Sequence, residues 1–409
     1  RATPDTLMVF IALLGAIFAT ASVAAAHRCG LNKGSSCFIG FWALVLPITQ
    51  NLTALVMSDL LLASLCLLAA MAFASFLERP TAGWSAAFGA LAAAAILTKA
   101  SGVALALVPP LSIVLLRRWR LLTNWRLWLA PLPVLVTALP WTLMTMKITQ
   151  EGMQSKSAAE YLPEAFAFYA HAASYTFGAL ILLAAFFAIA RALPVLWKRD
   201  GKPNTCMVSM GAFCLALLAL YLASPTGLSS RYLLPMVPPL LIAAAFAFRA
   251  GRRVWTHPSA EEFCIGIGAA CSFIFIFPVH HKVASGFGEL AAGLTTRASG
   301  GKVLVSSDAR GEGSLIAEMA FRTADRCASP WTIVRASKFM ASSDWIGRDY
   351  QTAFATREDF AAALRREEIQ WVIDDRDVPP AYLQKHHQQL REWCGGMTPA
   401  AQVQPEREG

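Results

Sequence analysis

WSAAFGALAAAAILTKASGVALALVPPLSIVLLRR, from Trp84 to Arg118, decides how this chain is read. Between Trp84 and Leu116 a single ionisable side chain, Lys99, interrupts the apolar residues, and two arginines close the run. A helix that crosses a membrane needs about 20 mostly apolar residues, with roughly 17 as the short limit. The stretch therefore predicts two coupled spans, Trp84–Thr98 and Ser101–Leu116, that reverse at Lys99 and lead into a basic loop, Arg117–Arg126. Outward from this pair the pattern recurs at Thr6–Ala26, Cys37–Gln50, Met57–Phe76, Leu127–Met146, Thr176–Leu196, Cys206–Ala223, Tyr232–Phe248 and Phe263–His280. The expected fold is a polytopic α-helical membrane protein with about ten transmembrane helices.

Composition agrees. Of 409 residues, 56% are hydrophobic and 15% charged, and the mean hydropathy is +0.49. Soluble domains carry about 25% charged residues, so a soluble globular protein is excluded. The net charge of +9 is uneven: residues 1–283 hold 20 basic and 9 acidic groups, residues 284–409 hold 15 and 17. The basic groups punctuate apolar spans instead of clustering on one exposed face, which argues against nucleic acid as a partner. Fourteen of those 20 fall in loops of one parity or at Arg191, on the side that includes 77–83 and 117–126. The positive-inside bias makes that side cytoplasmic and everything after His280 extracytoplasmic. The nine cysteines form no metal-binding spacing and read as small apolar fillers; a Cys327–Cys394 disulfide has only their shared place in the tail in its favour. No residue is assigned to a metal, and dependence on a divalent metal is left open.

The tail changes character. Lys302–Ser307, Trp331–Arg335 and Gln370–Asp374 are short β-rich runs, alternating with helical patterns at Gly313–Arg322, Glu358–Glu368 and Ala381–Trp393. Alternation of this length predicts a small α/β domain with a parallel sheet. The expected division is 1–283 for the membrane domain and 284–409 for the α/β domain. The turn after the first strand, Ser306 to Ser314, lacks a nucleotide-binding glycine pattern and reads as an ordinary βα turn, with Ser314 capping or entering the helix. Asp374, Asp375 and Asp377 read as capping or solvent-facing.

Ionisable groups at membrane spans are functional candidates by default. Asp59 lies between two early spans, Lys99 at the reversal, and Arg231-Tyr232 at the start of a later span. All three positions fall on the same expected side. Two cations and a phenol suit a phosphate whose tail stays in lipid, and a carboxylate suits a base or an acceptor for sugar hydroxyls. Each residue also has an ordinary explanation: a helix cap for Asp59, a snorkelling ammonium for Lys99, a belt position for Arg231 and Tyr232. The segment Lys147–Tyr175 reads as a long polar-aromatic loop or a surface helix. It carries Glu151, Glu160, Tyr161, Glu164 and His171, a mixture that suits sugar recognition beside a membrane.

The runs LPITQNLTALVMSDLLLASLCLLAA (46–70), GALAAAAILTKASGVALALVPPL (89–111), ALPWTLM (138–144) and SSRYLLPMVPPLLIAAAF (229–246) together resemble the GT-C membrane glycosyltransferases. Within that class the chain is similar to the protein O-mannosyltransferases and the lipid A aminoarabinose transferase. The resemblance implies transfer of a sugar from a polyprenyl-phosphate carrier to a glycan, lipid or protein acceptor on the extracytoplasmic face of a bacterial inner membrane. It implies that Lys99, Arg231 and Tyr232 contact the donor phosphate, that Asp59 faces the active cavity, and that Glu160, Tyr161, Glu164 and His171 lie in a segment covering the donor. It also places the principal catalytic acid in a loop ahead of Arg1, so that the chain is expected to be truncated at its N-terminus. Two other classes stay open: a transporter or flippase, and a non-catalytic membrane scaffold with a partner-binding tail.

Overall fold

The structure is a computed structural model that describes residues 3–53, 57–146, 157–197, 203–225, 227–251, 260–274, 286–323, 330–343, 350–396, 398, 400 and 403. Six helices are long and apolar enough to cross a membrane: Asp5–Arg28, Asp59–Glu78, Trp125–Met144, Ala159–Pro194, Thr205–Ala223 and Ser230–Arg249. The chain is a membrane-embedded helical protein. A bent pair, Lys33–Val45 and Pro47–Thr53, meets at 63° and makes up to a seventh span. The bend is a proline effect: Leu46 is extended, as residues before proline prefer, and Pro47 opens the next helix. Of the ten expected spans, two are shorter apolar helices, Ala82–Thr98 and Ala100–Leu116. The last is helical over Ala260–Ile274, and residues 275–280 lie outside the described residues.

The helices needed below are α1 (Pro4–Arg28), α2 (Lys33–Val45), α3 (Pro47–Thr53), α4 (Asp59–Glu78), α5 (Ala82–Thr98) and α6 (Val108–Leu116), followed by α7 (Ala158–Trp197), α8 (Thr205–Ala223) and α9 (Val237–Gly251). The helix α4 is the centre of the bundle, with Leu60, Leu62, Leu67, Phe73, Phe76 and Leu77 buried against α5 and α8. Lipid-facing positions such as Leu180, Leu183 and Phe186 on α7 stay exposed, as expected where hydrocarbon is the solvent.

Of the two readings of the segment to Tyr175, loop or helix, the structure has the helix from Ala158, and α7 runs through it to Trp197 with a break at Gly178, whose φ of 77° suits glycine. The helix starts with a capping box: Ser157 Oγ accepts from the Glu160 N–H at 3.4 Å, and Glu160 Oε2 accepts from the Ser157 N–H at 3.3 Å. Glu151 lies outside the described residues.

The chain divides into two compact units, Met8–His280 and a second made of Arg1–Leu7 with His281–Gly409. The second unit holds a parallel three-stranded sheet of β1 (Gly301–Ser306), β2 (Trp331–Arg335) and β5 (Ile369–Asp374) in the order β2-β1-β5. An antiparallel pair, β3 (Ala341–Ser342) and β4 (Gln351–Thr352), lies between β2 and β5 in sequence. Helices α11 (Phe287–Arg297), α12 (Ala309–Arg322), α13 (Arg357–Arg366) and α14 (Lys385–Cys394) complete it, and α10 is Ala260–Ile274 of the first unit. Two small cores form, one around Val303, Val305, Leu315 and Trp331, the other around Leu304, Met340, Phe360 and Leu390. Asp308, not Ser314, caps α12, its carboxylate accepting from the N–H groups of Arg310 and Gly311. Asp375 accepts from Ser307 Oγ at 2.6 Å, and Asp374 pairs with Arg376 and Arg391. Cys327 lies outside the described residues.

Candidate functional site

The reversal after α5 explains where Lys99 sits. Its backbone is extended (φ −162°, ψ 136°) and ends the helix, its N–H still bonding to Ala95 O at 2.9 Å. A tight turn follows, with the Gly102 N–H bonding to Lys99 O at 2.8 Å. A Cβ at Gly102 would come within 2.5–2.7 Å of the Ala95 and Ile96 backbone, so the close approach requires glycine. The turn thereby holds Lys99 at the end of two apolar helical segments.

Asp59 is the first residue of α4. The preceding Ser58 makes no side-chain cap, and the Asp59 carboxylate instead receives Lys99 Nζ at 2.6 Å. The pair is shielded, with side-chain exposures of 6% for Asp59 and 23% for Lys99. Charge attraction is strengthened where water is scarce. Lys99 Nζ also lies 4.5 Å from the centre of the Tyr232 ring, and the Arg231 guanidinium lies 5.4 Å from the same ring. Arg231 Nη1 reaches Met57 Sδ at 3.5 Å, while its buried Nε has no hydrogen-bond partner among the described residues. Asp59, Lys99, Arg231 and Tyr232 thus form one cluster drawn from three chain segments. It carries two cations and one carboxylate.

Tyr232 opens a stack of aromatic rings. It lies on Tyr221 of α8 at 5.3 Å, and Tyr221 lies on Tyr169 of α7 at 5.6 Å. Tyr161 donates its hydroxyl to Tyr221 O at 3.1 Å and is fully buried. Of the four residues expected to cover a donor, Tyr161 is therefore inside the bundle and Glu160 is engaged in the start of α7. Glu164 and His171 are exposed on the same helix, His171 meeting Tyr175 edge-on at 5.5 Å. Tyr221 and Met57 are members of the surroundings that sequence reasoning missed. Tyr221 looks like filler in an apolar run, and only its ring stacking in three dimensions reveals it.

Among the described residues, no group of three His, Cys, Asp or Glu side chains is placed to hold a metal ion. The second unit contains another buried carboxylate, Glu312 on α12, with no exposed surface. It accepts from Arg335 Nε at 2.7 Å, Ser337 N at 2.9 Å and Ser337 Oγ at 2.6 Å. That arrangement is enclosed within its own fold and joins α12 to the end of β2. The membrane cluster, by contrast, keeps an incompletely paired guanidinium beside an ion pair, which equips it to receive an anion. Comparison with known proteins gave no matching family model, no matching curated protein and no matching solved structure.

Proposed function

We propose that the chain is a GT-C-type membrane glycosyltransferase that takes a sugar from a polyprenyl-phosphate carrier. The acceptor is an envelope lipid, glycan or protein on the extracytoplasmic face of a bacterial inner membrane. The observation that carries this reading is the convergence of Lys99, Arg231 and Tyr232 with Asp59, leaving one cation in excess at the ends of apolar helical segments. A lipid phosphate brings its charge to the edge of the membrane while its chain remains in hydrocarbon, and a cluster of this composition matches it.

In the reaction, an acceptor hydroxyl oxygen attacks the anomeric carbon. The bond from that carbon to the phosphate oxygen breaks, and its electron pair leaves on the polyprenyl phosphate. The hydroxyl proton passes to a carboxylate base. Arg231 and Lys99 offset the charge that grows on the leaving phosphate. The 2.6 Å contact with Lys99 supports a positioning role for Asp59, whose carboxylate fixes where the ammonium stands. A single displacement of this kind inverts the anomeric centre.

The test is binding of farnesyl phosphate, a short polyprenyl phosphate, to the purified full chain. Arg231→Ala is expected to weaken binding about tenfold or more, in line with loss of a charge-assisted hydrogen bond, and Tyr232→Phe to weaken it less. Unchanged affinity in both variants refutes the phosphate assignment. Unchanged affinity for farnesol, which lacks the phosphate, is expected throughout.

A further inference from the structure

A second site lies on two neighbouring turns of the membrane unit, 77–85 and 117–129, which are fastened together. Arg118 Nη1 donates to Leu77 O, Arg126 Nη1 donates to Pro80 O at 2.9 Å, and Ser85 Oγ donates to Leu127 O at 3.3 Å. The second turn is built from two short 3-10 segments, Trp119–Thr123 and Trp125–Leu129, with the Asn124 side chain accepting from the Arg126 N–H. It begins where α6 ends at Arg117 in the left-handed region, φ 54°.

This fastened platform displays Trp119, Trp125 and Trp128 at 55%, 63% and 61% exposure, with Trp84 beside them on the first turn. The indole N–H of Trp128 is already bonded to Leu122 O at 3.0 Å, so its exposed face is apolar. Five guanidinium groups share the platform: Arg79, Arg117, Arg118, Arg120 and Arg126. Arg118 and Arg126 are spent on backbone carbonyls, whereas the exposed side chains of Arg79, Arg117 and Arg120 have no partner among the described residues. The acidic residue of these turns, Glu78, is occupied by Arg28 at 3.1 Å and by Thr205 Oγ1 at 2.5 Å.

Indoles and free guanidinium groups mixed at the ends of apolar helices have one environment that suits both. Indoles settle at the headgroup level of a bilayer, and guanidinium groups grip phosphodiester oxygens in pairs. Water alone leaves the indoles exposed, and a soluble acidic partner would have to reach headgroup depth. We propose that the turns 77–85 and 117–129 form a binding site for anionic phospholipid headgroups of the membrane the chain spans. Arg79, Arg117 and Arg120 bind the phosphodiester there, and Trp119, Trp125 and Trp128 anchor beside it.

The experiment is native mass spectrometry of the delipidated full chain given phosphatidylglycerol or phosphatidylcholine with identical acyl chains. Phosphatidylglycerol is expected to be retained about tenfold better. Arg117→Gln with Arg120→Gln is expected to lower that retention about tenfold, to the level of phosphatidylcholine, whose own retention falls less because it carries no net charge. Arg191→Gln, outside the platform, is expected to change nothing. Because the altered arginines are exposed, the thermal midpoint without added lipid is expected to stay within about 2 °C of the parent. Equal retention of the two lipids overturns the proposal, as does an unchanged Arg117/Arg120 variant. It is also overturned by an Arg191→Gln loss of the same size, which would mean diffuse charge attraction, or by preferential capture of a short RNA over phosphatidylglycerol.

Discussion

Glu312 and Asp59 are both buried carboxylates paired with a basic side chain, yet Glu312 accepts three hydrogen bonds and Asp59 accepts one among the described residues. Glu312 belongs to the α/β unit and ties α12 to the end of β2 through Arg335 and Ser337. Three neighbours of its own fold bind it, and it has no exposed surface through which a ligand could reach it. Asp59 belongs to the membrane unit and holds Lys99 beside Tyr232 and the half-satisfied Arg231. The difference separates a structural knot from a site with capacity. A buried charge whose bonds are complete contributes to holding one conformation, whereas an incomplete cluster keeps interaction energy for a visitor.

The largest effect expected from this contrast is on Glu312. Replacing it by alanine leaves the Ser337 N–H and hydroxyl without their acceptor and Arg335 without its anion, and is expected to destabilise the α/β unit by about 2–4 kcal/mol. Hydrogen exchange of the β1 and β2 amides in the full chain measures this, and a loss below about 1 kcal/mol would erase the distinction. Asp59→Asn keeps the shape and one acceptor, so it is expected to lower stability by only about 1–3 kcal/mol. Its sharper effect is on turnover in a sugar-transfer assay, which should fall more than donor affinity. If stability falls as far as in Glu312→Ala while donor affinity and turnover hold, Asp59 is a knot like Glu312.

The smallest effect concerns His386, also in the α/β unit. Its backbone N–H donates to the Tyr350 hydroxyl oxygen, and the same hydroxyl shares a hydrogen bond of 2.9 Å with Nδ1 of the ring. Burial, with His387 alongside, pushes its pKa down from 6.5 to about 4. The unfolded chain takes up that proton near pH 6.5 and the folded chain only near 4. Stability from this group is therefore complete above pH 6.5 and is lost as pH falls towards 4. At pH 6 the loss is under about 1 kcal/mol, and His386→Gln should flatten the pH dependence of β5 and α14 exchange. An unaltered slope in that variant removes His386 as the cause.

The parts legible in the sequence share a physical reason. Apolar length marks spans, and β-branched runs between helical patterns mark strands, so Trp331–Arg335 is found where expected. Lys99, Asp59 and Arg231 stand out because charge is scarce around them. Tyr221 does not, since an aromatic ring in an apolar helix carries no mark of what it stacks upon. The start of α7 was hidden by polar and aromatic residues that look like a loop, although Ser157 and Glu160 have capping-box spacing. Glu312 shows the same limit from the other side: its partner Arg335 lies 23 residues away on another element. Nothing in the run Ala309-Arg310-Gly311-Glu312 announces the pairing.

Gly102 has a consequence for anyone who wishes to rebuild this membrane unit. The reversal beneath Lys99 is closed by backbone lying on backbone, so its shape owes nothing to the ammonium it displays. A designer is free to exchange the head group at position 99, pairing the change with one at Asp59, and thereby reset the preference of the cluster from anions to cations or neutral polar guests. The hairpin is a socket whose fitting is interchangeable, provided the glycine stays.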